Sequence, residues 1–316
     1  MSGRKKRALG RGMADLVEGS FSSIVEPPAP AMTARAVHPA AEPASAARPF
    51  DVVSVSSGKG GTGKSVLACN LGAILAATTR VTILDADLGL ANIHILYNMT
   101  PRYNASHLIS GERRVEEVLV RGPRGVNVIP GGSGIPDLTN LSAARFGALV
   151  DGIASLDRVT DLLIIDTPSG IDRQSLLFLL ASDHVLVVTT GDVTSMTDAY
   201  AVIKAIFARR PDASALLVVN QAGSEASGLE TYRKVAHVTR KFLSRELELG
   251  GIIPFDERVE SSIAERVPVA LSHPDSPAAR AMISIAARLG PRAAAPSSSR
   301  QPFATRLRVL LSGLAN

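Results

Sequence analysis

Short apolar runs rich in β-branched residues alternate with longer segments of helical periodicity along most of the chain. The runs are DVVSVSS, RVTILDAD, GVNVIPGG, DLLIIDTP, HVLVVTTG, SALLVVNQ and GGIIPF. They are almost continuously apolar, which is typical of strands buried on both faces of a parallel sheet. The segments between them, such as DAYAVIKAIFARR, are long enough for helices. The pattern predicts an α/β fold with a doubly wound, mostly parallel sheet and helices on both faces.

The alternation stops before both ends of the chain, where the composition changes. Residues 1–20 form a basic segment with a short amphipathic piece, and residues 21–49 are rich in Ala, Pro and Ser. Such a composition buries too little apolar surface to fold, so it predicts a disordered linker. A second linker is predicted at 291–302, followed by a short amphipathic helix at 303–316. One folded domain is therefore expected over 50–290.

Composition narrows the class of protein further. Hydrophobic residues make up 46% of the chain but aromatic residues only 4%, so we expect a sizeable aliphatic core. The single cysteine, Cys69, excludes a disulfide framework and a cysteine-based metal cluster within one chain, and it fits a reducing cytoplasm. No run approaches the roughly 20 apolar residues of a membrane-spanning helix. The expected location is the cytoplasm, with peripheral contact at the inner face of the cell membrane left open.

The stretch GKGGTGKS follows the first strand-like run and opens a helix-like segment. It matches the phosphate-binding template G-x-x-x-x-G-K-[ST], in which glycines let backbone N–H groups turn toward phosphate oxygens. Lys64 would contact the β- and γ-phosphates, and Ser65 would bind Mg²⁺. The template needs only this one lysine, yet Lys59 lies close before it between glycines. Its purpose is the main question that the motif raises.

Acidic residues end two of the other strand-like runs. Asp85 and Asp87 leave the second run, and Asp166 leaves the fourth. Ligands of open α/β sheets bind at the carboxyl ends of the strands, so these residues should lie beside the phosphate loop. We expect Asp166 to hold Mg²⁺ directly or through water. Asp85 is expected to be structural or to support the ligands of the metal.

These motifs together resemble the deviant Walker A ATPases of the MinD/ParA class. Lys59 within KGGTGKS is similar to their signature lysine, DADLGLAN to their first switch and LLIIDTPSGI to their second. VVNQ and GGIIPFDERV resemble their adenine-side segments. The resemblance spans Val52 to about Leu289, and the C-terminal part of it is most similar to the FlhG/FleN and MinD-like branches. It implies a P-loop NTPase fold and the cofactors ATP and Mg²⁺.

The resemblance also implies a role for each matching residue. Lys59 would reach across a homodimer interface to phosphates bound by the other subunit, so that two chains enclose two ATP molecules. Asp87 would position or polarise the attacking water. The expected catalytic residues are Lys59, Lys64 and Asp87. The expected nucleotide-binding residues are Gly58, Lys59, Gly60, Gly61, Thr62, Gly63, Lys64, Ser65, Val66, Asn220, Pro254, Phe255 and Asp256. The expected metal ligands are Ser65, Asp87 and Asp166.

Two alternatives stay open at these positions. Asn220 can hydrogen-bond the adenine edge or simply cap the end of its strand. Lys59 can be an ordinary solvated loop lysine. Both residues therefore need the structure to decide what they contact.

The C-terminal segment FATRLRVLLSGLAN carries an apolar face with arginines beside it. Its apolar positions Phe303, Leu307, Leu310, Leu311 and Leu314 fall on one side of a helix. The segment resembles the C-terminal membrane-targeting helix of MinD, which implies contact with an acidic membrane surface through Phe303–Leu314. A tail helix docked on its own domain is the alternative.

The N-terminal segment RKKRALGRGMADL resembles the motif by which ParB-type partners stimulate ParA-type ATPases, through LGRGM alone. This resemblance suggests that Arg11 activates its own or a neighbouring ATPase domain. A disordered basic tail is the alternative.

The resemblance implies an ATPase switch that spatially positions a flagellum, a division site or another complex at a cell pole. It would cycle between monomer and ATP-bound dimer, and an unidentified protein would stimulate it. The alternative is a ParA-type partitioning ATPase that binds nonspecific DNA through a basic surface. Its candidate cations are Lys204, Arg209, Arg210, Arg233, Lys234, Arg240 and Lys241.

Overall fold

A computed structural model describes residues 50–132, 141–289 and 301–313. The strands are β1 (Asp51–Ser56), β2 (Val81–Asp85), β3 (Val120–Arg121), β4 (Asn127–Ile129), β5 (Leu162–Asp166), β6 (His184–Thr189), β7 (Ala215–Ala222) and β8 (Glu248–Pro254). The helices are α1 (Lys64–Leu75), α2 (Ile93–Leu96), α3 (Ala105–Ile109), α4 (Val115–Val118), α5 (Ala143–Ala154), α6 (Arg173–Ala181), α7 (Val193–Arg209), α8 (Glu225–Leu243), α9 (Glu257–Glu265), α10 (Val269–Ser272), α11 (Pro277–Leu289) and α12 (Phe303–Gly313). Short 3₁₀ turns lie at Pro123–Gly125 and Ser155–Arg158.

The strands form one sheet in the order β3-β4-β2-β5-β1-β6-β7-β8. All neighbouring strands run parallel except β3 and β4, which are antiparallel. Every strand-like run predicted from the sequence contains an observed strand, and the predicted fold class is confirmed. The edge strand β3 was missed because two residues are too short to show a periodicity. The central strand β1, between β5 and β6, places the loop that follows it in the middle of the carboxyl edge.

Alternate side chains of the strands face two different helical layers. Val53 and Val55 of β1 belong to a core that includes residues of α1 and α11. Val52 belongs to a second core with residues of α5, α6 and α12. A third core joins β6 and β7 to α7 and α8. Both faces of the sheet are therefore covered, which is why the strands read as continuous apolar runs.

Short polar side chains cap the first turns of several helices. Ser142 accepts a hydrogen bond from the backbone N–H of Arg145 at the start of α5. Asp172 accepts hydrogen bonds from the backbone N–H groups of Gln174 and Ser175 at the start of α6. Ser224 caps α8 and Asp256 caps α9. These caps satisfy backbone donors that a helix leaves without an internal partner.

The C-terminal helix α12 is docked on the domain. The side chains of Phe303 and Leu307 are buried in the core that includes residues of α5 and α6, and Phe303 lies 6.5 Å, ring centre to ring centre, from Phe50. The Arg306 guanidinium pairs with the carboxylate of Asp183. Of the two possibilities open for this segment, the structure has the docked helix.

Several predicted segments lie outside the described residues. These are the basic segment 1–20 with Arg11, the linker 21–49, residues 291–300 of the second linker, and Leu314. The proposed domain boundaries stay predictions. None of the described helices is long and apolar enough to cross a bilayer.

Candidate functional site

The phosphate loop joins the carboxyl end of β1 to the first turn of α1. Gly61 and Gly63 have φ angles of +79° and +85°, a left-handed conformation that favours glycine. At Gly58 the constraint is space, because a Cβ atom there would lie 2.3 Å from the backbone carbonyl carbon of Asp198 in α7. Lys64 and Ser65 are the first residues of α1. Backbone N–H groups of the loop and of this helix end form a cradle for anionic oxygens.

Lys64 and Asp166 meet beneath this loop. The Lys64 Nζ atom lies 3.6 Å from Asp166 Oδ1, and the two side chains are 11% and 1% exposed. The parallel pairing of β5 with β1 sets the position of Asp166, which lies beside Val55 at the carboxyl edge. Burial raises the pKa of Asp166, while the nearby Lys64 charge and a hydrogen bond from Ser65 oppose that rise. The three side chains predicted to handle phosphate and metal are thus brought together.

Asp85 and Asp87 complete an acidic group at this edge. Asp85 is fully buried at the end of β2, directly beside Asp166 in the strand register. Burial and the charge of Asp166 raise the pKa of Asp85 to about 8. Asp87 is half-buried, and its Oδ1 accepts a hydrogen bond from the backbone N–H of Leu90 at 3.1 Å.

The residues present fit a magnesium ion. Asp85 Oδ1 is a buried oxygen without a hydrogen-bond partner among the described residues, and Asp166 Oδ1 has only the Lys64 ammonium near it, at 3.6 Å. Buried carboxylate oxygens are costly unless a donor or cation meets them. Hard cations such as Mg²⁺ take oxygen ligands, and Ser65 supplies a hydroxyl close to Asp166. Ser65, Asp166 and Asp87 remain the predicted ligands.

Lys59 makes its contacts on another side of the loop. Its Nζ donates a hydrogen bond to Thr194 Oγ1 at 3.0 Å and lies 3.7 Å from Asp192 Oδ2. Both partners belong to the start of α7, and Lys59 is 38% exposed. The sequence showed no sign of this pairing, because the partners are more than a hundred residues away and form no motif with the loop.

A cavity of about 380 Å³ adjoins the loop. Its lining consists of Gly61, Gly63, Val66, Asn220, Gln221, Pro254, Phe255, Asp256, Val259, Glu260, Ile263 and Met282. The size and the mixed apolar and polar lining suit a nucleoside base and sugar. The predicted adenine-side segments, at the ends of β7 and β8, therefore do meet at one cavity.

Asn220 and Asp256 have protein partners within this cavity wall. Asn220 Nδ2 donates a hydrogen bond to the Thr62 carbonyl oxygen at 2.8 Å, and a Cβ on Gly63 would lie 2.3 Å from the same nitrogen. Asp256 accepts hydrogen bonds from the backbone N–H groups of Arg258 and Ala278. Burial acts to raise the pKa of Asp256, but these hydrogen bonds outweigh it and the pKa is lowered. Asn220 thus braces the phosphate loop, and its contact with adenine stays a prediction.

Comparison with known families agrees with this arrangement. The sequence model described as the CobQ/CobB/MinD/ParA nucleotide binding domain matches residues 53–269. The chain belongs to this family. It is therefore a P-loop ATPase, and the predicted resemblance to the MinD/ParA class is confirmed.

Individual relatives of this MinD/ParA ATPase include an antiactivator and a flagellum site-determining protein. The ATPase is 34% identical to the antiactivator FleN of Pseudomonas aeruginosa, over 82% of this chain and 94% of FleN. It is 33% identical to the flagellum site-determining protein YlxH of Helicobacter pylori, over 68% of this chain and 73% of YlxH. Among solved structures, MinD of Pyrococcus horikoshii with Mg-ADP is similar in fold, with a TM-score of 0.63 and 20% identity over 76% of this chain and 96% of that one.

The geometry of the MinD/ParA ATPase domain suits phosphoryl transfer. The cradle and Lys64 can neutralise phosphate charge, and the acidic group can bind a divalent cation and position water. Such a reaction needs positioning and electrostatic stabilisation more than covalent chemistry by the protein. Two sets of contacts could not be predicted from the sequence. Asp192 and Thr194 contact Lys59, and Asn220 contacts the phosphate loop.

Proposed function

We propose that this chain is an ATP-dependent dimerisation switch that positions a flagellum or a division site. The observation that carries the proposal is the separation of the two lysines. Lys64 lies against Asp166, whereas Lys59 contacts Asp192 and Thr194 at the start of α7. One lysine serves the phosphates of its own chain, and the other is available for the phosphates of a second chain.

Within one chain, ATP binds with its phosphates in the cradle and its base in the cavity beside Asn220. Lys64 balances the charge of the β- and γ-phosphates. Ser65 and Asp166 would hold Mg²⁺, which would neutralise charge on the phosphate oxygens. Asp87, at the half-buried mouth of the acidic group, orients the attacking water. These roles rest on the positions of the side chains at one edge of the sheet.

Lys59 then acts in the dimer. To reach the partner's nucleotide it leaves one exposed hydrogen bond and one exposed ion pair. Exposed contacts of this kind are worth about 1 kcal/mol or less each. A bound triphosphate of the second chain outweighs that loss, so ATP favours dimerisation. Hydrolysis then depends on assembly, and an activating protein controls its rate.

The name of one relative supports a positioning role, because YlxH is a flagellum site-determining protein. FleN is named an antiactivator. A protein of this kind needs no substrate besides ATP, because its output is the dimer itself.

The docked helix α12 connects this cycle to the membrane. Leu311 borders a small cavity together with Asp172 and Arg173, the cap and the first residue of α6. Residues 167–170 of the second switch lead into this helix start. A change in the switch therefore alters the surface on which α12 is docked. Release of α12 presents its apolar face and Arg306 to acidic lipid, and two tethered helices per dimer bind more tightly than one.

The DNA-binding alternative receives less support from the structure. Lys234 pairs with Glu230 at 2.7 Å, and Arg240 pairs with Glu246 at 2.7 Å. These contacts neutralise part of the basic surface that nonspecific DNA binding requires.

The test uses the full chain with ATP or ADP, in size measurements and in co-sedimentation with acidic liposomes and with duplex DNA. Wild type should dimerise and sediment with liposomes in ATP only. Lys64→Ala should lose ATP binding, whereas Lys59→Ala should bind ATP and stay monomeric. Normal dimerisation and hydrolysis by Lys59→Ala would overturn the switch. ATP-dependent sedimentation with DNA but not with liposomes would replace the membrane role by DNA partitioning.

A further inference from the structure

The C-terminal end of α8 is held in a defined conformation by contacts with the chain that follows it. Ser244, the residue after the helix, has a left-handed φ angle of +53°. Arg240 donates two hydrogen bonds to the carboxylate of Glu246, at 2.7 and 2.8 Å. The Tyr232 hydroxyl donates a hydrogen bond to the Leu247 carbonyl oxygen at 2.8 Å. Side chains at this end of the helix therefore have a fixed place on the domain surface.

An aromatic ring and two cations share the exposed surface of this end, which we call the α8 tip (residues 241–245). The Phe242 side chain is 65% exposed, and the Lys241 ammonium lies 5.3 Å from the centre of its ring. Lys241 and Arg245 are exposed, and neither has an ion-pair partner among the described residues. One exposed apolar side chain is ordinary on a protein surface. An aromatic ring beside unpaired cations, however, matches the boundary between headgroups and acyl chains of an acidic membrane.

The α8 tip lies at the edge of the sheet from which α12 is tethered. It precedes β8, whose first residue Glu248 pairs with Leu216 near the start of β7. α11 ends at Leu289, and Arg288 donates a hydrogen bond to the Gly250 carbonyl oxygen of β8 at 3.1 Å. The chain therefore leaves the domain toward α12 beside the same strand and at the same amino edge. A membrane that holds a released α12 faces this edge.

We propose that the α8 tip is a second contact of the chain with an acidic lipid surface. Phe242 enters the boundary between headgroups and acyl chains, and Lys241 and Arg245 meet the lipid phosphates. The proposal rests on the membrane role in the proposed function and adds a surface of the folded domain to α12. Contacts tethered in one molecule reinforce each other, and a dimer presents two tips and two helices. Duplex DNA fits the tip less well, because it offers phosphates but no apolar layer for Phe242.

A single tryptophan reports whether the tip enters lipid. The chain contains no tryptophan, so Phe242→Trp places one reporter at the tip. The full-length variant with ATP is mixed with vesicles of phosphatidylcholine containing phosphatidylglycerol, and with vesicles of phosphatidylcholine alone. Only the acidic vesicles should shift the emission to shorter wavelength, and lipids brominated near the headgroup should quench it. In the control Ala226→Trp, the reporter is exposed about 24 Å away along α8, and vesicles should leave its emission unchanged.

Substitutions at the tip test its contribution to affinity in co-sedimentation of the full chain with acidic vesicles and ATP. Phe242→Ala should weaken binding about tenfold or more, because a buried aromatic side chain is lost. Lys241→Gln should weaken binding about fivefold for each copy in the dimer. Arg233→Gln is the matched control, because it removes an equal exposed charge from the same helix. It lies about 12 Å farther from the tip, beyond the screening length of about 8 Å, and should keep binding within about twofold.

The outcomes separate this inference from the proposed function. If wild type sediments with acidic vesicles in ATP and both tip variants bind equally well, the inference is overturned while the membrane role of α12 stands. Equal quenching of the two tryptophan reporters would also overturn it. If wild type does not sediment with acidic vesicles in ATP, the membrane role falls and the inference falls with it. A response of Phe242→Trp to duplex DNA but not to vesicles would make nucleic acid the partner of the tip and refute the lipid contact.

Discussion

Asn220→Ala tests whether this side chain serves the phosphate loop or the base. The substitution removes the hydrogen bond from Asn220 Nδ2 to the Thr62 carbonyl oxygen, which is 2.8 Å long and lies in a buried setting. A buried acceptor left without its donor costs about 1–3 kcal/mol. In the nucleotide-free protein this cost raises the free energy of the cradle conformation, so a smaller fraction of chains has a formed cradle. The apparent affinity decreases by that fraction, about 5- to 150-fold.

The assay compares three ligands that share phosphates and differ in the base. Binding of ATP, GTP and inorganic tripolyphosphate is measured by calorimetry with Mg²⁺ present. If Asn220 braces the loop, the variant loses affinity for all three by a similar factor. If Asn220 reads the adenine edge, ATP alone loses affinity and tripolyphosphate binds as to wild type. That second result would refute the reasoning.

Gln221→Asn is the control for this measurement. Gln221 is the next residue of β7 and borders the same cavity, and its φ angle of +56° is one that asparagine adopts readily. The substitution changes the cavity wall without touching the loop. It should leave tripolyphosphate binding unchanged, so a loss there would show that the assay reports general damage to the cavity.

Three further predictions follow from packing and charge. Gly58→Ala should lower the melting temperature by several degrees, because the new Cβ meets the Asp198 backbone at 2.3 Å and overpacking costs about 1–3 kcal/mol. Gly60→Ala should leave the melting temperature unchanged, because a Cβ there has open space around it. Leu307→Glu should free α12 and speed amide exchange over 303–313 at least tenfold, because it places a charge in a buried site. Val309→Glu, at a 58% exposed site, should leave this exchange unchanged. Equal exchange in the two variants would contradict the docking. The raised pKa of Asp85, about 8, means that the nucleotide-free folded chain keeps a proton that the unfolded chain loses near pH 4. Its free energy of unfolding should therefore fall as pH rises from about 4 to about 8, and urea titrations should show a flatter dependence in Asp85→Asn.

Most of the fold could be predicted from local patterns. A strand buried on both faces must be apolar along its whole length, so the runs ending at Asp85 and Asp166 were visible without any partner. The phosphate loop was equally visible, because its turn requires glycine at Gly61 and Gly63. Parallel pairing then made it predictable that the acidic strand ends gather beside Lys64. Each of these conclusions needs only neighbouring residues and one general rule of sheet geometry.

Other features depend on contacts between distant parts of the chain. Thr194 holds Lys59, Asn220 braces Thr62, and α12 covers the core between α5 and α6. No periodicity or spacing encodes such contacts, because each depends on the register of strands and the packing of helices that close it. The apolar face of the C-terminal segment was readable from sequence, but an apolar face fits a membrane and a protein core equally well. Only the tertiary structure shows that α12 docks on its own domain, since it alone brings the complementary surface to that face.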